Sequence, residues 1–268
     1  MRRRVALTIA GSDSGGGAGI EADLKTFEAH GVWGTAAVTA VTAQNTLGVQ
    51  AVESVSPELV RAQMASVASD MSVDAAKTGI LVDAAIVATV AETARQLGLR
   101  ALVVDPVLVS GHGDALLDLD GIDVLREQLL PLATVVTPNL AEAAALAQRT
   151  VDDRSGMEAA AAVIGALGPP VVLVSGGHLT GDWSPDCLYV EGDIRWLETP
   201  RLPAVHNHGS GCVLSAAICA EMAKGMEPAD ACVAAKRFTE RAMAAGFQLG
   251  AGVGPVDPGW ERYANGER

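Results

Sequence analysis

Aromatic residues are scarce in this chain, with three Phe, four Trp and two Tyr in 268 residues. A core built from it must rest on Ala, Val, Leu and Ile, since hydrophobic residues still make up 49% of the sequence. Basic residues are outnumbered, 19 Lys and Arg against 32 Asp and Glu, for a net charge of −13. A surface of that sign repels phosphate backbones and anionic bilayers, so neither a nucleic acid nor a membrane is expected as a partner. A local basic pocket for an anionic substrate remains open. No apolar run approaches the roughly 20 residues of a membrane-spanning helix. The opening "MRRRVALTIAG" places arginines before an apolar stretch, but that stretch is too short for a signal peptide and stops at Ser12-Asp13. It reads as a first buried strand. The four cysteines, Cys187, Cys212, Cys219 and Cys232, fit neither zinc-ligand spacing nor a disulfide framework. A reducing, cytoplasmic location follows as the expectation. Linkers, low-complexity tracts, long charge runs and internal repeats are also missing, so one domain over 1–268 is the simplest account.

What is present is an alternation of short apolar runs with longer amphipathic ones. Strands are expected over 5–11, 34–44, 73–79, 101–107, 133–139 and 170–177, with a hairpin over 186–199. Helices are expected over 20–31, 57–70, 83–98 and 121–131, and near 140–148, 155–167, 212–224 and 228–246. This order implies an α/β fold, a mostly parallel central sheet covered by helices on both faces. Ligands of such sheets sit beyond the carboxyl ends of the strands. The informative stretches are therefore "GSDSGGGAG", "AQNT", "KTG", "DPV", "TPNLAE" and "SGGH".

The stretch "HGSGC" (208–212) hands a glycine turn to an apolar helix. Gly209, Ser210 and Gly211 can turn successive backbone N–H groups inward, and the helix start adds its positive dipole end. A transferring phosphoryl group would be stabilised there. Cys212 at that helix start is expected to have a lowered pKa and to accept a proton from an attacking hydroxyl. The alternative is a helix-flanking turn with a small buried cysteine. The stretch "GSDSGGGAGIEADLK" (11–25) is neither a Walker A loop nor G-x-G-x-x-G. It still suits close approach of a small substrate. Asp13 and Asp23 are either helix-capping acids or, for Asp23, a carboxylate reaching the substrate. Gln44 can donate and accept at once, which suits an aminopyrimidine edge. The alternative there is a solvated Gln44 beside a turn-forming Asn45. Asp105 and Glu142, at neighbouring strand ends, could hold Mg²⁺ with several waters. Asn139 and Glu142 also have the spacing of a capping box, a role compatible with metal positioning.

Taken in order, "ALTIAGSDSGGGAGIEADLKTF", "TAQNTLGVQ", "KTGIL", "DPV", "LLPLATVVTPNLAEA", "GGHL" and "HGSGC" resemble the hydroxymethylpyrimidine and phosphomethylpyrimidine kinases of thiamine biosynthesis. These belong to the ribokinase-like superfamily. The resemblance covers essentially the whole chain. It implies a ribokinase-like three-layer α/β/α sandwich and ATP-dependent phosphorylation of 4-amino-5-hydroxymethyl-2-methylpyrimidine, then of its monophosphate. It also implies Mg²⁺ and a homodimer. By the same resemblance Cys212 is the catalytic cysteine, with Gly209, Ser210 and Gly211 as its anion hole. Gly11, Asp23, Gln44, Ile80 and Val107 surround the pyrimidine. Asn139, Ser175 and Lys236 lie on the ATP side, and Asp105 and Glu142 on the metal.

The chain also departs from the family. Ser175 stands where a lysine is usual, Gly111-His112 where Lys-Ser is common, and Asn207 where Thr is usual. Two cations expected near nucleotide phosphates are thus missing, with His112 a possible stand-in. Pyridoxal or pyridoxine kinase, and a noncatalytic pyrimidine-binding protein, are the competing expectations.

Overall fold

The computed structural model describes residues 2–109, 116–177, 179–203 and 205–264. Its first half runs β1 (Val5–Ser12), α1 (Gly19–Ala29), β2 (Trp33–Asn45), β3 (Gly48–Ser54), α2 (Pro57–Asp70), β4 (Ala75–Thr78), α3 (Ala84–Leu97) and β5 (Leu102–Val104). Then follow α4 (Leu119–Val124), β6 (Val135–Val136), α5 (Leu140–Ala147), α6 (Arg154–Gly165), β7 (Val171–Val174), β8 (Trp183–Val190) and β9 (Asp193–Pro200). The chain closes with α7 (Ser210–Ala223), α8 (Pro228–Ala244) and the short α9 (Glu261–Ala264). The nine strands form one sheet in the order β3-β2-β1-β4-β5-β6-β7-β8-β9. From β2 to β7 every neighbouring pair is parallel, and the pairs β2–β3, β7–β8 and β8–β9 are antiparallel.

The central strands are buried and largely apolar because helices cover both faces. All four residues of β4 and of β7 are buried. On one face Val60 and Met64 of α2, Ile86 and Val90 of α3, Leu146 of α5 and Ile164 of α6 pack into a single cluster. The other face holds Phe27 of α1, Ile218 of α7 and Ala235 of α8. Helix α7 is buried on nearly every side, from Val213 to Ala223. A helix apolar all round is an interior helix, and α7 fills the space between α1, α8 and the sheet.

The expected elements are present, with several differences, among them the short α9 that closes the chain. Most strands are shorter than the apolar runs, since only Leu102–Val104 and Val135–Val136 pair within 101–107 and 133–139. The remainder of each run continues beyond the carboxyl end of its strand. Strand β3 was not expected. It extends the sheet as a hairpin with the end of β2, leaving Val41, Leu47 and Val52 exposed. Its polar Gln50, Glu53 and Ser54 hid it from a search for apolar runs. The helix expected over 121–131 begins at Leu119 and widens after Val124, where the N–H of Leu130 donates to the carbonyl of Leu125. Pro131 follows, and a proline supplies no N–H to continue the regular ladder.

Candidate active site

The carboxyl ends of β1, β4, β5 and β6 and the start of α7 converge. Asp13, just beyond β1, organises the first glycine loop. Its Oδ1 accepts from the Gly15 N–H at 2.8 Å, and its Oδ2 from the N–H groups of Gly17 (3.0 Å) and Ala18 (2.9 Å). His208 Nε2 lies 3.0 Å from the same Oδ2. Burial would raise the Asp13 pKa, but the His208 contact and the Gly15 and Ala18 amides outweigh it and hold the carboxyl below its ordinary value.

His208 thereby ties the first glycine loop to the second. Gly209 caps α7 in the left-handed region, at φ +80°. A Cβ there would fall 1.9 Å from the carbonyl oxygen of Gly17, so only glycine allows the loops to close on each other. The N–H of Ser210 is spent on the carbonyl of Asn207. The N–H groups of Gly211 and Cys212 meet no acceptor among the described residues, and a Cβ on Gly211 would point into open space. Two free amides at the start of a 14-residue helix are the kind of arrangement that suits an anion.

Beneath this helix start lies a buried charge network that the sequence reading missed. Lys77 of β4 places Nζ 3.0 Å from Asp23 Oδ1 and 3.9 Å from Asp105 Oδ2. Asp23 also accepts from the Thr8 hydroxyl at 2.6 Å. Burial opposes the charge on Lys77, but Asp23 and Asp105 outweigh it and hold the ammonium above the usual lysine pKa. Burial pushes Asp23 up, and Lys77 pulls it back.

Two expectations are corrected here. Asp23 does not reach toward a ligand: it has no exposed surface and is engaged by Lys77 and Thr8. Cys212 does not have a lowered pKa. Burial pushes its thiol up to about 12, with Asp23 and Asp105 adding to the rise, while Lys77 and the Gly19 amide oppose it. The helix-start effect that favours thiolate is smaller than the desolvation of a charged sulfur. Cys187, Cys219 and Cys232 are buried thiols.

Asp105 and Glu142 stand beyond the adjacent strands β5 and β6. Asp105 Oδ2 accepts from the Ser215 hydroxyl at 2.8 Å, one turn along α7 from Gly211. Glu142 completes the capping box: its Oε2 accepts from the Asn139 N–H at 2.8 Å, and its own N–H donates to the Asn139 side chain at 3.0 Å. Burial raises both acids, and the charge of Asp105 adds to the rise of Glu142, which reaches about 8. Two close carboxylates that resist sharing their charge are a fitting donor set for a divalent cation. Among the described residues no group of three His, Cys, Asp or Glu side chains is arranged around one point. Mg²⁺ commonly takes one or two carboxylates and completes its shell with water and phosphate.

On the side expected to face the pyrimidine, Gly11 is buried, and a Cβ built on it would lie 3.6 Å from Ile80 Cβ. Val107 follows Asp105, its N–H donating to the Asp105 carbonyl. The Gln44 amide sits 3.3 Å from His208 Nε2, so it leans on the joint between the glycine loops. On the side expected to face ATP, Ser175 bridges to Asn139 beside it, its N–H donating to the Pro138 carbonyl. Lys236 is not a free cation there. Its Nζ donates to Asp186 Oδ2 at 2.8 Å and to the Ser184 carbonyl at 3.2 Å, and Asp186 Oδ1 accepts from the Gly176 N–H. Lys236 therefore shapes the turn after β7 through Asp186. Gly111, His112 and His178 lie outside the described residues.

The sequence reading also missed Lys77, Ser215 and the organising role of Asp13 with His208. Lys77 carried a signal, a lone charge inside "AAKTG". Ser215 lies three residues after Cys212, on the same helix face, a spacing that a search for motifs passes over.

A family model described as phosphomethylpyrimidine kinase matches residues 13–257. A hydroxymethylpyrimidine/phosphomethylpyrimidine kinase of Streptomyces coelicolor is 51% identical over 254 residues, 95% of this chain and 94% of that protein. Among solved structures, an ADP complex of Bacillus subtilis pyridoxal kinase superposes with a TM-score of 0.92 at 40% identity, covering 98% of this chain and all of that one. A phosphomethylpyrimidine kinase from Clostridium difficile gives a TM-score of 0.80 at 36% identity, with 90% of this chain and 100% of that one covered.

Proposed function

This chain belongs to the phosphomethylpyrimidine kinase family, and from that membership we propose how its cleft works. The protein is an ATP-dependent phosphotransferase with a ribokinase-like fold. It phosphorylates 4-amino-5-hydroxymethyl-2-methylpyrimidine and then the resulting monophosphate, for thiamine biosynthesis. The whole chain serves as one kinase domain. Four unpaired cysteines suit a cytoplasmic enzyme, and the exposed Val41, Leu47 and Val52 of the β2–β3 edge suit a homodimer contact.

The observation that carries the reading is what gathers at the start of α7. The free N–H groups of Gly211 and Cys212 stand beside Ser215, which holds Asp105, and above Lys77. Phosphoryl transfer asks mainly for positioning and charge stabilisation. The pyrimidine lies against Gly11, Ile80 and Val107 with its hydroxymethyl group toward Cys212. The Gly211 and Cys212 amides and the α7 dipole receive the transferring phosphoryl group without having to reorganise. Asp105 and Glu142 would hold Mg²⁺, which would supply positive charge against the phosphates. Asn139 and the Ser175–Gly177 turn, held by Lys236 through Asp186, shape the nucleotide side.

Cys212 takes the hydroxyl proton. At neutral pH it rests as a thiol, and Lys77 with the Gly19 amide favours the small thiolate fraction that can act. In a loose phosphoryl-transfer transition state the proton leaves late, so the base contributes less than the cradle.

The test is direct. Purified protein with the hydroxymethylpyrimidine, ATP and Mg²⁺ yields the monophosphate and then the diphosphate; absence of both products rejects the reading. A second acceptor is favoured by the 0.92 TM-score to a pyridoxal kinase. Pyridoxal also carries a hydroxymethyl group on a flat heteroaromatic ring. Side-by-side kcat/KM values rank the two, with the pyrimidine expected to be the better substrate.

A further inference from the structure

The turn that leaves β7 contains two glycines with opposite surroundings. A Cβ on Gly176 would fall 1.9 Å from the carbonyl oxygen of Pro185, whereas one on Gly177 would meet nothing within 4 Å. Gly176 is packed, and Gly177 faces open space. Gly176 is held through its N–H, which donates to Asp186 Oδ1 at 2.9 Å. Gly177 is held through its carbonyl, which accepts from Arg201 Nη1 at 2.6 Å.

That guanidinium fixes more than one carbonyl. Its Nη2 donates to the carbonyls of Leu179 at 2.6 Å and Trp183 at 2.9 Å, and its Nε to that of Gly181 at 2.8 Å. Carbonyls from alternate residues between 177 and 183 thus converge on one planar group. The backbone N–H of Arg201 donates to the Asp182 carbonyl at 2.8 Å, which anchors the residue just past the end of β9.

Carbonyl oxygens carry partial negative charge, so several that face one point repel unless a donor fills it. A guanidinium offers five N–H groups in a rigid fork. Every contact it makes here, among the described residues, is to a backbone carbonyl of this one loop. The arginine is spent on the shape of the loop rather than on an ion pair. A lysine ammonium has three donors on a flexible stem and cannot serve all of these carbonyls. The loop therefore depends on this residue type and not on its charge alone.

The sheet decides which ligand would feel the loop. In the order β4-β5-β6-β7, with strands about 4.8 Å apart, the turn after β7 stands about 10 Å from the end of β5 and about 14 Å from the end of β4. Val107 and Ile80 lie beyond those two strands. Ser175 of the turn pairs instead with Asn139 beyond β6. We propose that Arg201 is a positioning residue for the nucleotide. It holds the turn after β7 so that Gly177 presents its open side to ATP, and it takes no part in binding the pyrimidine or in the chemical step. The role rests on the reading of that turn as the ATP side.

The parent is titrated with ADP by isothermal calorimetry, and its steady-state kinetics with ATP and the hydroxymethylpyrimidine are compared with those of Arg201→Lys and Arg201→Gln. Both variants should bind ADP at least about tenfold more weakly, with KM for ATP raised by a similar factor. KM for the pyrimidine, and kcat at saturating ATP, should stay within about twofold of the parent. Arg201→Lys is the milder change and carries the test if Arg201→Gln does not fold. Parent-like ADP binding by Arg201→Lys overturns the proposal, because charge alone would then suffice. A parallel rise in both KM values, or a fall in kcat, overturns it as well, because a general loosening of the fold does that. A parent that binds no ADP fails the reading of the cleft and takes this role down with it. A parent that binds ADP no more tightly than its variants fails this role alone.

Discussion

The ammonium of Lys77 stands 3.0 Å from one carboxylate oxygen of Asp23 and 3.1 Å from the other, and neither side chain has any exposed surface. Removing one member of such a pair leaves an uncompensated buried charge. Lys77→Met should therefore cost about 3–5 kcal/mol of stability in urea denaturation. Lys77→Met/Asp23→Asn should regain most of that stability without regaining activity, because Cys212 has lost its nearby cation. Recovery of both together would mean that Lys77 only holds the fold.

Cys212 sets the pH behaviour. Its thiol sits at about 12, so the thiolate fraction grows roughly tenfold per pH unit across the working range. The kcat/KM for the pyrimidine should rise from pH 6 to pH 9 without a thiol plateau. Cys212→Ala should flatten that rise and lower kcat about 10²-fold, the low end for a general base. A plateau near pH 7 in the wild type would show that the sulfur ionises far more easily.

Glu142 binds its proton more tightly in the folded chain, at about 8 against an ordinary 4.5. Between those values the folded state holds more protons than the unfolded one, so stability falls as pH rises from about 4.5 to about 8 and levels off above. Glu142→Gln keeps a capping-box side chain but removes the charge. It should raise Tm at pH 8, reduce the slope of Tm against pH, and lower activity. Adding Mg²⁺ at pH 8 should raise the wild-type Tm more than that of Glu142→Gln. Equal responses would take Glu142 out of the metal site.

Two glycines three positions or fewer from Cys212 should fail in different ways. Gly209→Ala puts a Cβ against the Gly17 carbonyl at φ +80°, a conformation costing a non-glycine residue about 1–2 kcal/mol before any clash. It should lower Tm and abolish turnover together. Gly211→Ala adds its methyl to open space and should leave Tm unchanged while raising KM or lowering kcat. Calorimetry paired with steady-state kinetics separates the two. Loss of folding in Gly211→Ala would place that amide in the packing rather than the cradle.

The layered fold was legible because apolar runs alternate with helical ones, and the loops after those runs are where the site lies. What hid was whatever depends on two distant segments meeting. Asp23 reads locally as a first-turn acid, and only β4 packing beneath α1 brings Lys77 to it. The Cys212 thiol looked activated because a helix start is visible in sequence, whereas its burial is not. Edge strand β3 was missed because most of it faces water, and the ion pair that holds Lys236 was hidden because its partner Asp186 lies 50 residues away.

The clasp between His208 and Asp13 spans 195 residues. While the ribosome is still threading out its last quarter, the protein owns a sheet and a glycine turn but no helix start to close over them. A nascent chain halted there cannot squander nucleotide, and catalysis begins only when translation is nearly done.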